Sequence, residues 1–178
     1  MKILRPVEKE YRGNVFQQRY IQTVKAEDAL IALKENMLVI EAFFKNIAPE
    51  KLLFRYAEGK WTPLEILGHL IDTERILSYR ALSAARNEKK ILLGFEEDEY
   101  VKATNFNKQR LSSLLLQYKT QRKSTLLLFK SFSAEELGRI AKANGYPTNA
   151  RGLAWVIAGH ELHHLNIINE RYLSMNNG

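Results

Sequence analysis

Gly159-His160-Glu161-Leu162-His163-His164 holds three of the chain's four histidines, and the fourth, His69, stands in Leu67-Gly68-His69-Leu70-Ile71-Asp72. Leu153, Val156, Ile157, Ile167 and Ile168 bracket His160 and His164, and the stretch reads as a helix from about Arg151 to Leu173. Residues four apart on a helix project from one face about one turn apart. His160 and His164 can therefore bite one metal ion, and His69 can supply a third ligand from another helix. Three histidines with an open fourth position describe a catalytic zinc-type site rather than a closed structural one.

Three further amphipathic helices lie upstream. Leu30, Leu33, Met37, Ile40, Phe44 and Ile47 recur at three- and four-residue steps, predicting a helix from about Ala26 to Ile47 that Pro49 ends. Thr62-Pro63-Leu64-Glu65 is a capping box with proline at the first helical position, and Trp61 and Ile66 are placed for a hydrophobic staple. That helix continues to about Ala85, with Ile66, Leu70, Thr73, Leu77 and Arg80 near one face, which His69 shares. The third spans about Asn107 to Phe132, with Leu111, Leu114, Leu115, Tyr118 and Phe129 inside.

Between them, the polar stretch Arg86 to Asn105, with Gly94-Phe95-Glu96-Glu97-Asp98-Glu99-Tyr100, reads as a functional loop or short-helix insertion. Ser133-Ala134-Glu135-Glu136 opens a short polar helix, and Asn144-Gly145-Tyr146-Pro147 is a turn cluster. No stretch alternates with period two for long enough to demand a strand. The fold class is therefore all-α, a four-helix bundle with a metal site in its core. Residues 26–178 form this single domain. Residues 1–25, with Tyr11, Phe16, Tyr20 and Ile21, form an N-terminal arm packing across its outside.

The composition narrows the chemistry. At 178 residues and 46% hydrophobic, one domain can bury a substantial core, and the absence of cysteine excludes disulfides, thiolate metal sites and a cysteine nucleophile. Any metal must be held by nitrogen and oxygen. No signal-peptide core or bilayer-length apolar run is present, so the expected location is the cytoplasm, with no membrane partner. The net charge of +7 is scattered. Its nearest approach to a patch, Lys119, Arg122, Lys123 and Lys130 on the third helix, reads as a solvated face, and nucleic acid is not an expected partner. A steep salt dependence of DNA affinity would be the sign of such a partner.

A lone histidine on an apolar face is ordinarily a hydrogen-bonded core residue. Three buried together on two helices leave several ring nitrogens to satisfy, and one shared metal satisfies a nitrogen of each. His163 points about 100° away from His164 on the helix, which makes it a hydrogen-bond donor behind the ligands, a substrate contact or a rim residue. Carboxylates that orient ligating imidazoles are expected nearby. Asp72 and Glu161 are the nearest in sequence, though each could equally be a solvated helix acid. Glu74 and Arg80 read as ion-pair or surface charges. His160-Glu161-Leu162-His163-His164 also matches the H-E-x-x-H string of zinc proteases. Ile167 and Glu170 stand where the elongated form needs glycine and histidine, and no substrate-binding sheet is legible, so the protease reading is set aside.

Four features carry a family resemblance: Gly59-Lys60-Trp61-Thr62, the segment Gly68-His69-Leu70-Ile71-Asp72-Thr73-Glu74-Arg75, the Gly94-Phe95 loop, and Ala158-Gly159-His160-Glu161-Leu162-His163-His164. Together they resemble the DinB-like superfamily over about Ala26 to Leu173. The resemblance implies a four-helix bundle, often a homodimer, with a divalent transition metal such as zinc or nickel held by a triad that maps onto His69, His160 and His164. It further implies an enzyme acting on a small-molecule substrate, either a metal-dependent hydrolase or an S-transferase using a low-molecular-weight thiol. The alternative expectation is a non-enzymatic metal-binding scaffold or sensor.

Overall fold

The chain, described over residues 2–174 in a computed structural model, runs α1 (Val15–Thr23), α2 (Ala29–Asn46), α3 (Pro63–Ala85), α4 (Glu97–Lys102), α5 (Leu111–Lys130) and α6 (Ala134–Gly138). The hairpin β1 (Ala141–Ala143) and β2 (Tyr146–Thr148) then leads into α7 (Ala150–Ile168), which continues as a wider π-type turn over Asn169–Leu173. Helices α2, α3, α5 and α7 form the bundle. No helix among the described residues is long and apolar enough to cross a membrane.

Side-chain caps decide where these helices begin. The Asp28 carboxylate accepts from Leu30 N at 3.0 Å, starting α2 three residues later than the stripe alone suggests. The same oxygen accepts from Ile3 N at 3.0 Å, tying down the N-terminal segment. The capping box of α3 forms as read: Thr62 Oγ1 accepts from Glu65 N at 3.1 Å and Glu65 Oε2 from Thr62 N at 2.7 Å. Asn149 caps α7 by accepting from Gly152 N at 2.7 Å. Helix α5 starts at Leu111, because Phe106–Lys108 forms a separate 3-10 turn and Gln109 and Arg110 are extended.

The structure also departs from the sequence reading in containing strands. A short antiparallel hairpin follows α6, with Ala141 opposite Thr148 and Ala143 opposite Tyr146. Asn144 and Gly145 both take positive φ, 49° and 81°, which fits the two-residue turn whose twist suits a hairpin. Three-residue strands are too short to show a period of two. Leu92 adds to this hairpin, donating to Lys142 O and accepting from Asn144 N, each at 2.9 Å, so the insertion is pinned rather than loose.

The N-terminal segment lies on the bundle through a helix of its own. It folds as α1 against α7 and sends Ile3, Ile21 and Val24 into the core, while Phe16 stays exposed. A Cβ on Gly159 would lie 1.9 Å from the Tyr20 carbonyl oxygen, so only glycine permits this approach of α1 to α7.

The core divides into two apolar clusters. One gathers Ala29 to Leu33 of α2, Leu77 to Ala85 of α3, Phe129 and Ala150 to Ala158 of α7. The other gathers Ile40 to Ile47, Leu64 to Ile71, Leu114 to Tyr118 and Ile168. Between them every bundle helix contributes a buried polar residue: Asn36, Glu74, Arg122 and Glu161. This layer, with the histidines beside it, crosses the middle of the bundle.

Candidate metal centre

Helix α3 delivers His69 one turn before Thr73, and α7 delivers His160 and His164 one turn apart. The structure brings these three imidazoles together. His69 Nε2 and His164 Nε2 each lie 3.0 Å from His160 Nε2, and one nitrogen of each ring falls within 4.8 Å of the others. An imidazole nitrogen carries either one N–H or one lone pair, so His160 Nε2 cannot make both contacts as good hydrogen bonds. A cation facing three lone pairs removes that conflict. With metal–nitrogen bonds of about 2.0–2.1 Å, a tetrahedral site places its nitrogens about 3.4 Å apart, close to this spacing. Three converging nitrogens with no carboxylate among the group, as far as the described residues go, suit a borderline divalent transition ion.

Burial keeps the rings in the state a metal needs. His69 and His160 are 4% and 7% exposed. Burial pushes His69 down to about 4, and burial followed by the neighbouring histidines holds His160 and His164 well below their ordinary value. All three are neutral at pH 7 and present lone pairs. Thr73 Oγ1 stands 3.4 Å from His69 Nδ1, while His164 Nδ1 is buried without a hydrogen-bond partner.

Aromatic rings wall the cluster. Trp61 lies 4.6 Å from the His69 ring and stacks over His164 at 6.2 Å, and Tyr20 meets His160 edge-on at 5.3 Å. His163 sits beside the group rather than in it, 5.3 Å from the His164 ring and 5.6 Å from Tyr20, half-buried. Burial and then Arg19 lower its pKa.

The carboxylates near in sequence lie elsewhere in space. Asp72 accepts from Arg75 at 2.9 Å on the surface, and Thr73 is the α3 side chain beside His69. Glu161 turns away from the imidazoles, because successive helical residues diverge by about 100°. It enters the buried polar layer, accepting from Tyr118 Oη at 2.6 Å, from Asn36 Nδ2 at 3.1 Å, and from Arg122. Burial first, and then Glu74, raise its pKa against the pull of Arg122.

Arg122 corrects the basic-face reading, since its side chain is 0% exposed and pairs with Glu74 at 2.8 Å. Burial alone would lower its pKa, yet Glu161 and Glu74 hold it well above the usual value. Lys119 is paired as well, to Glu41 at 2.8 Å. Arg80 donates to Leu93 O at 2.6 Å and lies over Phe95.

Fold and site together define an all-α bundle that gathers three largely buried imidazoles from two of its helices, an arrangement able to bind a divalent metal. The chain belongs to the DinB superfamily, whose family profile matches residues 32–168. Among solved structures it is similar to YfiT from Bacillus subtilis, described as a probable metal-dependent hydrolase with an unusual four-helix bundle topology. The two share 14% identity and a TM-score of 0.73, over 95% of this chain and 98% of that one. No curated protein matches the chain in sequence.

Proposed function

We propose that His69, His160 and His164 hold a divalent transition metal through Nε2, and that the centre serves hydrolysis of a small molecule. The observation that carries this reading is the convergence of three neutral Nε2 atoms on one point with no fourth protein ligand among the described residues. Bound there, the metal would act as a Lewis acid that lowers the pKa of a water or thiol in the open position.

The chain's own residues prepare that position. Burial keeps protons off the ligands, Thr73 restrains the His69 ring, and Trp61 and Tyr20 restrict the approach. The likeness to YfiT, whose description names metal-dependent hydrolysis, agrees in fold. Thiol transfer would use the same centre, but the chain has no cysteine, so the thiol would have to arrive with the ligand.

A screen of ester, amide and related small molecules on zinc- or nickel-loaded protein tests the proposal. Turnover without added thiol that is abolished in His160→Ala supports hydrolysis. Turnover only with a low-molecular-weight thiol replaces it with transfer. Metal loading without turnover of any class favours a scaffold or sensor.

A further inference from the structure

One residue from each bundle helix meets in the polar layer beside the histidines, and Arg122 of α5 is its hub. Its Nε and Nη2 donate to Glu74 Oε1 and Oε2 at 2.9 and 2.8 Å, its Nη2 also reaches Glu161, and its Nη1 donates to Leu33 O of α2 at 2.8 Å. Glu74 on α3 directly follows Thr73, the partner of His69. Glu161 on α7 directly follows His160. Asn36 of α2 adds a second tie to α7, donating to Ala158 O at 2.9 Å and to Glu161 at 3.1 Å. The charged side chains are at most 3% exposed, and each oxygen of Glu74 and Glu161 has a donor.

We infer that Arg122 is a positioning residue for the histidine cluster: a single planar guanidinium that grips α3 one residue past Thr73 and α7 one residue past His160. It thereby sets the spacing of the two ligand-bearing helices before any metal arrives. The inference rests on the proposed metal centre. The fork shape matters, because only a guanidinium can bond both oxygens of Glu74 while reaching Glu161 and a carbonyl on the opposite side. A generic core residue would require only volume. Here the bonds run to the two segments whose separation decides whether three Nε2 atoms converge.

The test compares zinc affinity and the visible ligand-field spectrum of the cobalt-loaded full chain in three variants. Arg122→Lys keeps the charge and loses the fork. Arg122→Met/Glu74→Met removes both members of the closest pair together, while Glu161 loses its cation but keeps the hydrogen bonds of Tyr118 and Asn36. Phe129→Leu loosens the core away from the layer. The clamp predicts at least about tenfold weaker zinc binding and an altered cobalt spectrum in the two Arg122 variants. Far-UV circular dichroism should be preserved in them, and Phe129→Leu should keep the wild-type spectrum despite its lower thermal midpoint. Should Arg122→Lys fail to fold, the double variant decides. Wild-type affinity and spectrum in the folded Arg122 variants would overturn the clamp and leave the metal centre standing. So would a Phe129→Leu variant that changes the spectrum in the same way. A wild-type protein that takes up neither cobalt nor zinc would overturn both.

Discussion

His163 and His164 are adjacent in sequence, yet only one of them aims at the shared point. The pair His160 and His164 keeps an i, i+4 spacing and both rings face α3, whereas His163 turns toward Tyr20. His163→Ala is therefore expected to retain metal at the wild-type stoichiometry while His164→Ala loses it, as elemental analysis of the purified variants would read out. The same burial that keeps the rings neutral makes the metal-free protein sensitive to acid. Unfolded histidines titrate near 6.5, whereas folded His69 titrates at about 4, so between these values the unfolded chain binds the extra proton. That stability is fully present above about pH 6.5 and is lost as pH falls toward 4. The thermal midpoint of chelator-treated protein should drop across this window, and a midpoint flat from pH 7 to 4.5 would contradict it. The three converging histidines were legible because two imidazoles at helical spacing advertise themselves. Asp72 and Glu161 were less legible, since sequence proximity says nothing of which face a neighbouring carboxylate takes. Thr73, one turn from His69, was the side chain that chemistry could have singled out.

Helix starts were readable wherever a cap carried the signal. The Thr62 box opens α3 two turns before His69, and Thr62 Oγ1 also donates to Asn107 Oδ1 at 2.6 Å. Thr62→Ala should cost about 1–2 kcal/mol, with a fall in thermal midpoint of about 2–4 °C per kcal/mol. A midpoint unchanged within error would count against the cap's importance. The start of α5 was placed too early because Phe106–Lys108 forms a separate 3-10 turn, and Gln109 and Arg110 are extended before the helix begins. How closely α1 approaches α7 was not legible for another reason: it depends on a glycine in a different helix. Gly159→Ala would set its Cβ 1.9 Å from Tyr20 O, forcing α1 away and withdrawing the Tyr20 ring from His160. The expected loss is about 1–3 kcal/mol, with faster amide exchange confined to α1. Wild-type exchange in α1 would show that the contact yields without consequence.

The four-helix plan was legible from stripes that recur every three to four residues, but the stripes hid a polar layer. On α5, Leu111, Leu115, Tyr118, Arg122, Thr125 and Phe129 keep one heptad-like phase, and Arg122 falls inside it. A charge on an apolar phase was the available sign that this residue is buried, and reading it with Lys119 and Lys123 as one basic face missed it. Removing one partner of a buried pair leaves the others unsatisfied. Arg122→Met alone should therefore destabilise the whole bundle by about 3–5 kcal/mol in denaturant melts. A loss below about 1 kcal/mol, the size expected of a surface pair, would contradict the buried network.

The same layer lies beside the histidines, so the metal claim bears on the molecule as a unit. Its most direct test is metal content by mass spectrometry on untagged protein, measured beside His69→Ala and His164→Ala. The three-histidine centre predicts about one equivalent of a transition metal in the wild type, lost in both variants, since each removes a ligand from a different helix. Metal-free wild-type protein that cannot be reloaded, with both variants folded, would contradict it.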